Sequence, residues 1–180
     1  MQNYCAFLRG INVNGIAICM EDLRKSFEEE GFQKVQTILN TGNVLFSADE
    51  SDLSQLRQRV ERMLCERFQY DAYAFIRNRD QLAAAIEGAD KISVGSDCYA
   101  YLLFLDEPGL AEELEQQFQA VNADLPESLT VLSSDCLWVV PKGETLTSAF
   151  GSKILGSKKY KSRLTSRNLN TVRKVLIRMG

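Results

Sequence analysis

Apolar positions along this chain fall into short continuous runs and helical stripes that alternate in a fixed order. Tyr4-Cys5-Ala6-Phe7-Leu8 is an unbroken apolar run of strand length, the pattern of a strand covered on both faces. A polar segment bounded by Gly10 and Gly15 follows it. Met20, Leu23 and Phe27 then recur at helical spacing, with Glu21 and Asp22 in the first turn and Gly31 as the stop. Residues 35–39 and 44–46 read as strands joined by a turn at Asn40-Thr41-Gly42-Asn43. Leu53, Leu56, Val60, Met63 and Leu64 form a second stripe, entered through Ser51 or Asp52. Residues 72–76 close the unit as a strand. The order is β-α-β-β-α-β, the ferredoxin-like arrangement.

The pattern then repeats. A short helix is expected at 80–87 with Gly88 as its stop, and the small and polar stretch 88–97 reads as a linker. Residues 99–105 form another buried strand, punctuated by Pro108-Gly109. Leu110, Leu114, Phe118 and Val121 make a helical stripe. Residues 129–132 and 137–140 are strands around a Ser134-Asp135 turn. A helix is expected at 146–155, against the weight of Gly151 and Gly156, and Tyr160, Ser162 and Leu164 alternate as a weak strand. Leu169, Val172, Val175, Leu176 and Met179 line one face of a last helix. The expected fold is therefore α+β: two ferredoxin-like halves in tandem plus a C-terminal helix. The expected division is 1–78, a helix and linker at 79–97, and 98–180.

Composition narrows the chemistry. At 180 residues and 45% hydrophobic, the chain is large enough for an ordinary core without disulfide staples. It has no histidine, which removes every mechanism needing an imidazole base or imidazole metal ligand. Its five cysteines are odd in number and scattered, with no C-x-x-C, so no metal site or disulfide framework is expected and a reducing cytoplasm is the natural setting. No signal peptide is visible, and the longest uncharged apolar run, 98–105, is too short to span a membrane. Charge is uneven. Residues 1–140 hold 11 basic and 23 acidic residues, whereas 141–180 hold 10 basic residues and one acid, Glu144. Such a basic end either follows an anionic partner or packs on the acidic body; the absence of stacking aromatics beyond Tyr160 favours packing.

Three polar segments could carry chemistry. Arg9-Gly10-Ile11-Asn12-Val13-Asn14-Gly15 joins a buried strand to a helix, where free N–H groups suit an anion. Its Gly10-x4-Gly15 spacing is half of a P-loop, but Ile16-Ala17 replaces the phosphate lysine and hydroxyl, which excludes that class of nucleotide hydrolase. Thr41-Gly42-Asn43 has the residues of a hairpin turn. Thr165-Ser166-Arg167-Asn168-Leu169-Asn170-Thr171 supplies caps for the last helix, and a cation at a helix start calls for an anionic partner.

These segments also carry a resemblance. Phe7-Leu8-Arg9-Gly10-Ile11-Asn12-Val13, then Met20-x-x-Leu23, Gly31-Phe32, Val35-x-Thr37 and Gly42-Asn43-Val44-x-Phe46 resemble the bacterial family called domain of unknown function 1697. Thr165-x-Arg167-Asn168-x-x-Thr171 is similar to its closing motif. Asn14 stands where that family has Gly, and Thr41 where it has Ser. The resemblance implies two ferredoxin-like halves and no particular activity.

The functional expectation is a small anionic ligand, bearing phosphate or carboxylate, held by Arg9, Gly10, Asn12, Gly15, Gly42, Asn43, Arg167, Asn168 and Thr171. Arginine offers bidentate contacts to oxyanions and asparagine paired donor and acceptor groups. Two other readings stand beside it: a nucleic-acid module using the basic end, although the RNP1 pattern is absent, and a protein-interaction or structural domain. Glu21, Asp22 or Lys153 could act as a base, but nothing selects one. No cofactor or reaction is implied.

Overall fold

A computed structural model describes residues 1–11, 17–107, 109–121 and 126–180. The described chain divides into two compact units, 1–82 with 174–180, and 83–173. Each contains a four-stranded antiparallel sheet. In unit 1 the strands are β1 (Gln2–Arg9), β2 (Gln33–Ile38), β3 (Asn43–Ala48) and β4 (Tyr73–Asn78), ordered β2-β3-β1-β4. Helices α1 (Met20–Glu29) and α2 (Leu53–Phe68) complete the β-α-β-β-α-β unit. In unit 2, β5 (Cys98–Leu105), β6 (Ser128–Leu132), β7 (Asp135–Pro141) and β8 (Leu164–Asn168) take the equivalent order β6-β7-β5-β8, with α4 (Leu110–Val121) after β5. Helix α3 (Arg79–Asp90) begins in unit 1 and ends in unit 2; α5 (Leu169–Met179) begins in unit 2 and ends in unit 1. This is the expected α+β fold.

The apolar runs do what their pattern dictates. Tyr4 to Leu8 are all at most 2% exposed, so both faces of β1 are covered. Tyr4, Ala6 and Leu8 join Val44, Phe46 and Ile76 over Leu23, Phe27, Leu56 and Val60, while Cys5, Phe7, Leu45 and Phe75 are buried on the opposite face. Phe27, Phe32 and Phe46 pack at centroid distances of 4.6–5.6 Å, within the range where tilted aromatic pairs attract. In unit 2, Trp138 takes the Phe46 place, meets Phe150 at 5.7 Å and donates Nε1–H to the buried Glu127 carboxylate at 2.8 Å.

Strand register makes the repeat residue-specific. Tyr4 pairs with Phe46 and Asn78 as Tyr101 pairs with Trp138 and Asn168. Tyr4-Cys5-Ala6-Phe7-Leu8-Arg9 thus corresponds to Tyr101-Leu102-Leu103-Phe104-Leu105-Asp106, with Tyr, Phe and Leu shared. Arg77-Asn78 corresponds to Arg167-Asn168.

Three local expectations change. Helix α3 runs through Gly88 instead of stopping there, because that glycine serves packing: a Cβ would lie 3.2 Å from Leu132 Cδ2. The helix expected at 146–155 is a π-helical turn, Phe150–Leu155. Gly151 is required inside it, since a Cβ would stand 2.2 Å from the Thr145 carbonyl. The strand expected around 160–164 begins at Leu164 instead. Tyr160 sits in a 3-10 turn, where its hydroxyl donates to Glu113 at 2.7 Å.

Candidate functional site

Three loops of unit 1 meet at one end of its sheet, because β1 ends where β3 and β4 begin. Their described residues are 10–11 after Arg9, the hairpin 39–42, and residues 69–72. Arg9 is the last residue of β1 and pairs with Tyr73, the first of β4. Burial lowers the Arg9 pKa, and the neighbouring Tyr73 phenol acts in the other direction.

The hairpin is locked to the β1 end by contact. Gly42 has φ +71°, and its carbonyl accepts the Leu8 backbone N–H at 2.8 Å. A Cβ at Gly42 would lie 2.5 Å from Ile11 Cδ1 and 3.1 Å from Leu8 Cβ, so only glycine brings the hairpin this close. Asn43 is fully buried, and its Nδ2 donates to the Ile38 carbonyl at 2.9 Å and to Thr41 Oγ1 at 2.8 Å. Asn43 therefore holds the loop's shape. Leu39, at the loop's start, has φ +58° and is half exposed, an uncommon conformation for a branched side chain and a sign of imposed strain.

Tyr70 is the residue that sequence reasoning missed. Its ring lies against Gly10, whose Cβ would be 3.9 Å from Tyr70 Cε2. Gly10 has φ +85°, which turns the chain out of the strand. Tyr70 is 91% buried, and its hydroxyl has no hydrogen-bond partner among the described residues. Burial first, and Cys65 second, push its pKa up, so it stays a neutral donor. Tyr70 belongs with Leu8 and Ile11 in the core on one face of the sheet, while strand alternation sends Arg9 toward the other. The Gln69-Tyr70-Asp71 break before an apolar strand was visible as a loop, but nothing in it signalled an unmatched hydroxyl.

The predicted residues therefore separate. Arg9, Gly10, Gly42 and Asn43 come together at one end of sheet 1. Asn12 and Gly15 lie outside the described residues. Arg167, Asn168 and Thr171 belong to unit 2. Arg167 lies inside β8, paired with Leu102, and not at the start of a helix. Its guanidinium donates to Thr165 Oγ1 at 2.9 Å and to the Ser166 carbonyl at 2.8 Å. Asn168 Oδ1 accepts the Asn170 N–H at 3.0 Å and caps α5, within which Thr171 lies. The counterpart pair behaves alike: Arg77 donates to the Ile76 carbonyl at 3.0 Å, and Asn78 exchanges bonds of 2.9 Å with Gln81 at the start of α3. Arg-Asn occurring twice was the readable signal of the duplication.

The basic end of the chain is partly neutralised within unit 2. Glu113 on α4 receives Lys159 Nζ at 2.5 Å, Arg163 at 3.0 Å and the Tyr160 hydroxyl. Together, with Lys159 the largest contributor, they hold its carboxyl down at about 2. Arg163 also pairs with Glu107, and Arg173 with Asp90. Among the described residues no group of acidic, cysteine or histidine side chains could hold a metal, and no helix is long and apolar enough to cross a membrane.

The chain is similar over its length to a solved structure, the conserved bacterial protein SP0830 from Streptococcus pneumoniae. The TM-score is 0.78 with 20% identity, covering 99% of each chain. That likeness is one of fold. No curated protein matches. The family described as "Protein of unknown function (DUF1697)" matches residues 1–134, which take in all three loops of the unit 1 sheet end and leave the Thr165–Thr171 motif beyond the matched span. With that much of its length matched, the chain belongs to the DUF1697 family.

Proposed function

We propose that this protein binds a small anionic ligand, bearing a carboxylate or phosphate, at the loop-bearing end of the unit 1 sheet. The observation that carries this reading is the state of that end. A half-buried arginine, a buried phenol hydroxyl without a partner among the described residues, and a strained exposed hairpin all lie around Gly10 and Gly42. Leaving a buried hydroxyl unmatched costs about 1–3 kcal/mol, and backbone strain adds about 1 kcal/mol more. Folds keep such costs where a ligand offsets them. Arg9 supplies the charge and Asn43 with Gly42 fixes the hairpin held against the β1 end, while Tyr70, packed on the other face of the sheet, offers a neutral donor to a ligand that reaches around this end. Asn12 and Gly15 are assigned to the same ligand by their place in the connecting segment.

Arg167, Asn168 and Thr171 are left out of this site, since the same bonds recur at Arg77 and Asn78. The pairing of Lys159, Arg163 and Arg173 with acids weighs against a nucleic-acid surface. Five free cysteines favour a reducing cytoplasm.

The test is a thermal-shift panel of small carboxylates and phosphates, with uncharged amides and alcohols as controls. Ligand at a hundred times its dissociation constant stabilises by about 2.7 kcal/mol. The shift is expected to disappear in Arg9→Ala. In the ligand-free protein, Tyr70→Phe is expected to melt at or above the wild-type temperature while losing affinity. A Tyr70→Phe protein that melts early would give that hydroxyl a structural partner and remove the main support for the site.

A further inference from the structure

Unit 1 carries a second polar cleft at the opposite end of the same sheet, where β1 and β2 begin and β3 ends. Its volume is about 230 Å³, and its polar lining is Asn3, Lys34, Gln36, Ser47 and Arg178. Lys34 sits where the β2–β3 register shifts between Gln33 and Gln36, and its φ is +51°. A bulge of this kind re-aims a side chain at the cost of ladder bonding, and an unbranched but non-glycine residue in the left-handed region adds strain. Arg178 lies in the last turn of α5.

Neither cation has an ion pair or hydrogen bond among the described residues. Among the described side-chain cations of unit 1 only Lys174 shares this state. Arg24, Arg57, Arg59 and Arg67 all meet a glutamate within 4 Å. The helix dipole would account for Arg178 alone, but not for Lys34, whose strained backbone adds a second positive charge to the same cleft. Lys34 and Arg178 are both exposed and both line this cleft, so an anion entering it meets two cations. The wall is fixed: Ser47 Oγ donates to Asn3 Oδ1 at 2.7 Å, and Asn3 Nδ2 donates to the Met179 carbonyl at 3.3 Å. Gln36 makes no side-chain bond among the described residues and leaves its amide as a further donor.

We infer that this cleft binds a phosphate dianion, with Lys34 and Arg178 carrying the charge and Gln36 a neutral contact. Two cations match two negative charges, where a carboxylate would leave one unmatched. The inference is independent of the Arg9 site.

Calorimetric titration with inorganic phosphate at constant ionic strength tests it in wild type, Lys34→Gly, Arg178→Gln and Arg9→Ala. Saturable binding to wild type is expected, and in the Arg9→Ala background, which removes the site at the other sheet end, it is expected to persist and to weaken about tenfold or more on adding Lys34→Gly or Arg178→Gln. Lys34→Gly should also melt higher, since glycine adopts that backbone without strain, which separates lost binding from lost folding. No saturable heat with wild type overturns the inference. So does binding in the Arg9→Ala background that survives both cleft substitutions, or binding lost only in Arg9→Ala, which would move phosphate to the other end of the sheet.

Discussion

Leu8 and Leu105 hold the same place in the two sheets, and each must find an acceptor for its backbone N–H. In unit 1 the acceptor is the Gly42 carbonyl, at 2.8 Å. In unit 2 it is the buried Asp135 side chain, at 3.1 Å. The difference follows from hairpin length. Ser133 and Ser134 alone separate the last β6–β7 pair, Leu132 and Asp135, whereas residues 39–42 separate Ile38 from Asn43. The segment after the first strand differs in the same direction, 10–19 in unit 1 against 106–109 in unit 2. Position for position, Arg9 is replaced by Asp106. One fold is thus closed off in unit 2 by a short turn and acidic groups. In unit 1 the hairpin is longer and an arginine ends the first strand. The comparison teaches that the extra residues of unit 1 are not needed to make the fold, and that the charge at this end has been reversed.

The strongest way to break the comparison is Gly42→Ala. The left-handed backbone and the overlap with Ile11 together should cost about 3 kcal/mol in denaturant unfolding. Gly10→Ala, whose Cβ would meet the Asp71 carbonyl and Tyr70 Cε2 at an ordinary contact distance of 3.9 Å, should cost about 1 kcal/mol, for its backbone alone. Equal effects would mean the hairpin is not locked to the β1 end.

On the unit 2 side, Asp135→Ala leaves the Leu105 N–H without its acceptor and should cost about 2 kcal/mol, measured the same way. A substitution without effect would show that the carboxylate does not replace the longer hairpin.

The smallest effect is pH-dependent. The Glu113 carboxyl is held down at about 2, from an ordinary 4.5, by Lys159, Tyr160 and Arg163. Because its folded value is depressed, its contribution is complete above pH 4.5 and is lost as pH falls toward 2. The group is close to solvent, so the slope is modest. Glu113→Gln should melt lower at neutral pH and show a flatter acid limb in this window. A parallel pH profile would place the acid sensitivity elsewhere.

Much of this was legible along the chain. Continuous apolar runs identified β1 and β5, and stripes identified α1, α2 and α4, since burial of one face dictates those periods. Where the reading changed, the cause lay across the fold. Gly88 looks like a stop until Leu132 is seen against it. Residues 165–168 are polar because β8 is an edge strand, so the alternation of a half-buried strand is missing, and Tyr160 lent a false beginning while anchored to Glu113. At the site, Arg9 and Gly42 stood out as residue types. What joins them, Ile11 under Gly42 and Tyr70 under Gly10, has no local signature, because any buried aliphatic or tyrosine reads the same in one dimension.

The central claim is that the loops of unit 1, and not their shorter counterparts, receive a small anion. Amide chemical-shift mapping during titration with the best carboxylate or phosphate from the panel tests it most directly. The account predicts saturable shifts at Arg9, Gly10, Ile11 and Gly42, with β5 and the β6–β7 turn silent. Shifts at Asp106, Ser133 and Ser134 with none around Gly42 would contradict it.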